Sequence, residues 1–263
     1  MIWLWLLAIV GCTTLPNSYH PSDPIVAGQF SHELFDQTLG EHVHHGVVNY
    51  PGYASDPRLN QYIHQLNRLD PTTLPTRNDR LAFWINAYNA FAIQGILDGY
   101  SPKTWAGKYK YFVSRDYMVG GAKVNLYAVE RAILIPEFRE PRIHFAIVCA
   151  SRSCPTLRSW AFTPDRLDQQ LDDSARLFIN DPDRNAFDRR QKIAYLSKIF
   201  DWFTDDFVSH SGSLTKYVAQ YVEDPKLARE LAQDTYQVEF LEYDWNLNGI
   251  PPTTTASSKF QVE

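Results

Sequence analysis

Thirteen residues, 143–155, hold His144, Cys149, Ser151, Arg152, Ser153 and Cys154, with Arg142 just before them. A cysteine acts as a nucleophile only as its thiolate, which needs positive charge or an imidazole beside it to form near neutral pH. Cys149 is therefore the candidate nucleophile, with His144 as base or oxyanion donor and Glu130 and Asn89 as orienting groups. The spacing sets a limit on this arrangement. The apolar run 143–148 predicts a buried strand that leads into a polar loop. On a strand, five residues put Cys149 about 16 Å from His144, and the odd offset turns the two to opposite faces. A dyad requires contact at about 3 Å, so pairing demands that the chain fold back. Two other readings stay open: a Cys149–Cys154 disulfide in an oxidising compartment, or two inert buried thiols.

Other chemistries find less support. Ser151 and Ser153 lack the Gly-x-Ser-x-Gly setting of a nucleophilic serine. No glycine-rich phosphate loop is present, and nothing calls for a cofactor. His42, His44 and His45 crowd together but have no acid or cysteine at ligand spacing, so no metal site is expected. The net charge of -5 and a pI near 5.9 argue against a nucleic-acid partner. Aromatic residues make up 14% of the chain, enough to wall a groove as well as fill a core.

The elements that must carry these groups follow from periodicity. Phe30, Leu34, Phe35 and Leu39 predict a first amphipathic helix ending near Gly46, then a short strand over 47–50. Leu59, Tyr62, Ile63 and Leu66 predict a second helix. A third, about 79–98, is apolar nearly all round and must lie centrally, capped by Asn78 or Asp79 and ended by Gly99. Its Asn86 and Asn89 lie three apart and read as clamps on loop backbone, or as a wall of the site. Gly120-Gly121 predicts a hairpin, and Asn125 caps a helix that carries Glu130 and breaks at Pro136. Thr163-Pro164 marks another helix start. A strand over 192–196, helices over 199–207 and 214–222, and a last strand over 239–245 complete the reading. The fold class is α+β: a single helix-rich domain with a small, mainly antiparallel sheet, in which a helix followed later by a strand opening His-x-Ala resembles the order of transglutaminase-like and papain-like domains.

The N-terminus has its own logic. Residues 2–11 are apolar without interruption, too few to span a bilayer but suited to a signal-peptide core. Ile9-Val10-Gly11-Cys12 resembles the lipobox of bacterial lipoproteins. That resemblance implies cleavage after residue 11, lipidation of Cys12, and a tether over 12–27 that Pro16, Pro21 and Pro24 keep extended. The domain would fill 28–245 and a disordered tail 246–263. The expected location is the bacterial cell envelope, on the outer membrane facing the periplasm, with the membrane as partner and a peptide or glycan as ligand.

Four segments together are similar to a known family. They are Val47-Val48-Asn49-Tyr50, Phe83-Trp84-Ile85-Asn86-Ala87-Tyr88-Asn89-Ala90, the stretch from His144 to Pro155, and Tyr243-Asp244-Trp245. They resemble the domain of unknown function 547 (DUF547), over about residues 30–245. The resemblance implies a domain without assigning a reaction. Members of that family often carry Glu-His where this chain has Glu130-Arg131, so a role resting on that histidine is not expected here.

Overall fold

A computed structural model describes residues 23–252. Cys12, the apolar leader, the tether up to residue 22 and the tail from 253 lie outside the described residues. The part of the expected tether that is described is docked: Arg68 pairs with Asp23 at 2.8 Å and its carbonyl accepts from Ile25 N–H.

The central helix runs Arg77–Leu97. Its cap is Thr76, not Asn78 or Asp79. Thr76 Oγ1 accepts the Asp79 N–H at 3.1 Å and the Asp79 carboxylate accepts the Thr76 N–H at 3.0 Å. A residue in extended conformation three before an acid can make this reciprocal pair, which one already inside the first turn cannot. Gly99 follows the helix with a φ of +86°, a left-handed backbone conformation that suits glycine. Phe83, Ile85 and Phe91 are fully buried, so the helix is enclosed as expected. Helix Pro57–Arg68 packs against it, helix Glu33–His42 packs on that helix, and hairpin Tyr117–Val119/Ala122–Val124 stacks Tyr117 on Phe91 at 4.5 Å.

A second apolar cluster gathers helices Leu167–Ile179, Lys198–Trp202, Thr204–Ser211 and Leu214–Ala219 around Phe178, Phe200, Phe207 and Tyr217. Phe145 belongs to this cluster, while Ile143 and Ile147 belong to the first. The segment carrying His144 is thus shared between the two halves of one helix-rich α+β domain. Strand is divided among three small sheets. Antiparallel ladders predominate, and two short parallel ladders join Val47–Asn49 to Gly249–Ile250 and Ile193–Leu196 to Gln237–Phe240. A Cβ at Gly249 would run into the Val48 carbonyl, so only glycine allows the first of these.

Three further expectations are corrected. The run 143–148 is not a strand. Pro141–Phe145 forms a 3-10 turn started by Pro141, and Glu140 accepts the Arg142 N–H at 3.2 Å. The backbone after it bonds the central helix through Asn89 instead of a neighbouring strand. Second, Pro136 does not end its helix: Leu126–Ala128 widens into π-type turns over Val129–Phe138. Wide turns tolerate the missing proline N–H. Third, the strand expected over 239–245 lies earlier, at Gln237–Phe240, and the chain after Trp245 forms one more short strand, Gly249–Ile250. Arg152 N–H donates to the Asn246 carbonyl at 2.8 Å, and Tyr50 Oη to Asn248 Oδ1 at 2.8 Å. Backbone pairing with the cysteine loop overrides the polar composition of this segment.

Candidate functional site

Asn89 sets the position of the cysteine loop. Its Nδ2 donates to the Ala146 carbonyl at 2.9 Å and its Oδ1 accepts the Val148 N–H at 2.8 Å. Asn86 holds Phe162 in the same two-sided way, at 2.8 and 2.9 Å. Both amides therefore act as clamps. Asn89 is buried and works by positioning the segment between His144 and Cys149.

The loop beyond is tightly restrained. Cys149 and Cys154 are joined as a disulfide. Cys149 is half-buried and Cys154 buried. Ser151 Oγ lies 3.2 Å from the Cys149 sulfur and 3.3 Å from that of Cys154, and Tyr243 Oη lies 3.2 Å from each. Arg184 donates to the carbonyls of Arg152 and Cys154, both at 3.0 Å. Ala150, between the first cysteine and Ser151, has a φ of +63°. A side chain at that φ costs about 1–2 kcal/mol, and such strain persists only where surrounding contacts over-determine the backbone.

The disulfide forms one wall of a cavity of about 380 Å³. Tyr88 of the central helix, Trp202, and the pair Tyr243 and Trp245 supply other walls. Further walls come from two π-type segments, Lys110–Ser114 and Val129–Phe138, and from helix Trp105–Tyr109. Such turns are frequent at functional sites. Glu130, His144 and Cys149 all open on this cavity. The three candidates that sequence reasoning assembled are thus brought together, although not as a strand-borne dyad.

Their electrostatics differ. Glu130 is half-buried, and burial of its carboxyl pushes the pKa from 4.5 up to about 7, with Arg131 opposing and Asp206 adding to the rise. His144 is buried, and desolvation holds its pKa below the ordinary value against the pull of Asp206. A neutral imidazole donates Nε2–H to Asp206 Oδ2, at 2.7 Å. That tautomer leaves Nδ1 as a bare acceptor, and this atom is buried without a hydrogen-bond partner among the described residues. His144 is thereby an acceptor and not an oxyanion donor. Burial also raises the phenols of Tyr88 and Tyr243, both of which feel the charge of Glu130. Asp206 orients His144, the role expected of Glu130. Sequence reasoning missed Asp206, which lies 62 residues from His144 in an amphipathic helix with no local signal. It missed the part played by Tyr243 as well, although Tyr243-Asp244-Trp245 was a recognisable motif.

Of the histidine group, only His42 joins a cluster. Glu41, His42 and Asp56 bring ligand atoms within 4.8 Å of one another. Arg58 already bonds both carboxylates, and His42 Nε2 lies 2.8 Å from Asp56, so the cluster is an ion-pair network as it stands. His45 has a φ of +51° and Gly46 one of +78°, the geometry of a tight hairpin turn. Among the described residues, no helix is long and apolar enough to cross a membrane.

No curated protein and no solved structure matches the chain. Residues 71–179, the span that holds Asn89, Glu130, His144, Cys149 and Cys154, match the family model described as Protein of unknown function, DUF547.

Proposed function

We propose that this protein is an envelope lipoprotein, held to a bacterial membrane by a lipid on Cys12, whose cavity carries out cysteine-dependent hydrolysis or acyl transfer. The observation that carries the reading is the convergence of Cys149, Glu130 and His144 on one cavity, with a carboxyl poised near pH 7. A general base is most effective when its pKa lies near the working pH. The bridged form is the resting form. A dithiol reductant delivers two electrons and two protons and frees both thiols. Glu130 then takes the Cys149 proton, and the sulfur attacks an acyl carbon. The leaving group departs with that proton, and water or an acceptor resolves the thioester. His144, fixed by Asp206, is the second proton acceptor at the same cavity.

The test uses the chain with Cys12→Ser, reduced and offered aryl esters and thioesters, with intact mass as the readout. An acyl adduct is expected on the reduced protein and on Cys154→Ala, and is expected to be absent from Cys149→Ala. The reading fails if the reduced protein forms no adduct and Cys149 alkylates no faster than free cysteine. In that case the protein is a binding lipoprotein. Two observations favour this second reading: the disulfide itself, and the hydroxyls of Ser151 and Tyr243, not a base, as the side-chain partners of the Cys149 sulfur.

A further inference from the structure

The cavity that holds the disulfide carries two basic side chains that the chemistry above does not use. Lys108 Nζ lies 3.7 Å from the Trp245 ring centroid, and Arg131 Cζ lies 4.2 Å from that of Phe203. Both residues line the cavity, and among the described residues neither makes an ion pair. Their π faces hold them in place without neutralising them. Desolvation lowers the pKa of Lys108, as expected for a cation deprived of part of its water.

Apart from Glu130 and His144, the rest of the lining is apolar or aromatic. Among the described residues that form it there is no Asn, Gln, Ser, Thr or Asp; hydroxyl groups come only from tyrosines. A sugar, with its ring of hydroxyls, would find few partners here. The mouth adds exposed aromatics: Trp105, Tyr109, Tyr127 and Trp202. Exposed apolar surface gathered beside a cavity marks a binding site. The one acid among the lining residues offsets the two cations only in part: Glu130 is half neutral near pH 7.

We infer that the cavity takes an amphipathic organic anion, with an acyl chain among the aromatic walls and its carboxylate between Lys108 and Arg131. This names the ligand class, an acyl anion such as hydrolysis at this site would release, and rests on reading the cavity as the substrate site. It needs no thiol, so it is tested in the bridged, unreacting protein, where failure of binding and failure of thiol chemistry are read separately.

Three eight-carbon probes of one shape serve: octanoate, octanol and octylammonium, titrated calorimetrically into the full chain at pH 7. Octanoate is expected to saturate one site and to bind about tenfold or more tighter than octylammonium, because like charges suppress the wrong partner. Lys108→Ala with Arg131→Ala is expected to weaken octanoate about tenfold or more and to leave octanol unchanged. Octanol also reports whether the variant keeps its cavity. Two results would overturn the inference: octanol or octylammonium binding as tightly as octanoate, or no saturable octanoate binding at all. Octanoate binding that the double substitution does not change would overturn the placement of the carboxylate.

Discussion

Replacing Glu130 with Gln keeps the shape of the neutral carboxyl and removes its titration. Burial raises this pKa, so the folded protein holds the proton more firmly than the unfolded chain does. The sign follows: the contribution to stability is full below about pH 4.5 and is lost as pH rises through about 7. At about 1.4 kcal/mol for each tenfold in proton affinity, the move from 4.5 to about 7 corresponds to roughly 3 kcal/mol. Glu130 is half-buried and lines the cavity, so solvent screening brings the expected figure to about 2–3 kcal/mol. Glu130→Gln should match the parent below pH 4.5 and exceed its stability by that amount at pH 8. The assay is urea unfolding without reductant, run on both proteins across this range. Titrating groups that the substitution does not touch cancel in the difference. A difference that stays flat from pH 5 to 8 would refute the claim that this carboxyl is dehydrated, and the proposed proton acceptor would go with it.

Breaking the bridge by a dithiol, or by Cys149→Ser with Cys154→Ser, should lower stability by about 2 kcal/mol, the loop entropy of so short a closure; paired urea titrations would show it. Asn89→Ala leaves a buried N–H and a buried carbonyl unpaired, and a loss of about 2–4 kcal/mol is expected, with faster alkylation of the reduced loop as the second readout. Ala150→Gly relieves a left-handed alanine and should raise the unfolding midpoint by the equivalent of about 1 kcal/mol or less, because glycine also loses more freedom on folding. Asp206→Asn removes the charge that supports His144 and lifts Glu130, so both pKa values should fall, and nitrogen NMR of the imidazole should lose its single Nε2–H tautomer.

The parts of this fold that were legible in the sequence are those fixed by local chemistry. The enclosed helix Arg77–Leu97, the Gly120-Gly121 hairpin and the Asn125 cap each announce themselves through periodicity or turn residues. The run 143–148 did not, for a definable reason. An unbroken apolar stretch says that a segment is buried, but not what bonds its backbone. Here the amide of Asn89 takes that part, from 57 and 59 residues away, and no strand is needed. The same substitution of a side chain for a strand made the 16 Å argument inapplicable, because a 3-10 turn does not alternate faces.

That lesson bears on the site itself. Sequence spacing separated His144 from Cys149, yet the two share a cavity because the chain between them is clamped to the central helix rather than laid along a sheet. The groups that complete the site come from outside this stretch: Asp206, which holds His144, in one helix, and Tyr243 with Trp245, which line the cavity, in a segment that the sequence marked as its own last strand. Tyr243 is the informative case. Its hydroxyl touches both sulfurs while its ring meets Trp202 at 4.7 Å and Trp245 at 4.5 Å, so one side chain joins the disulfide to the aromatic wall. Opening the bridge must therefore disturb the contacts that shape the cavity. Thiol chemistry and ligand binding are coupled through this residue: a ligand that orders the aromatic wall in the bridged form must, by linkage, make the bridge harder to reduce to the same degree.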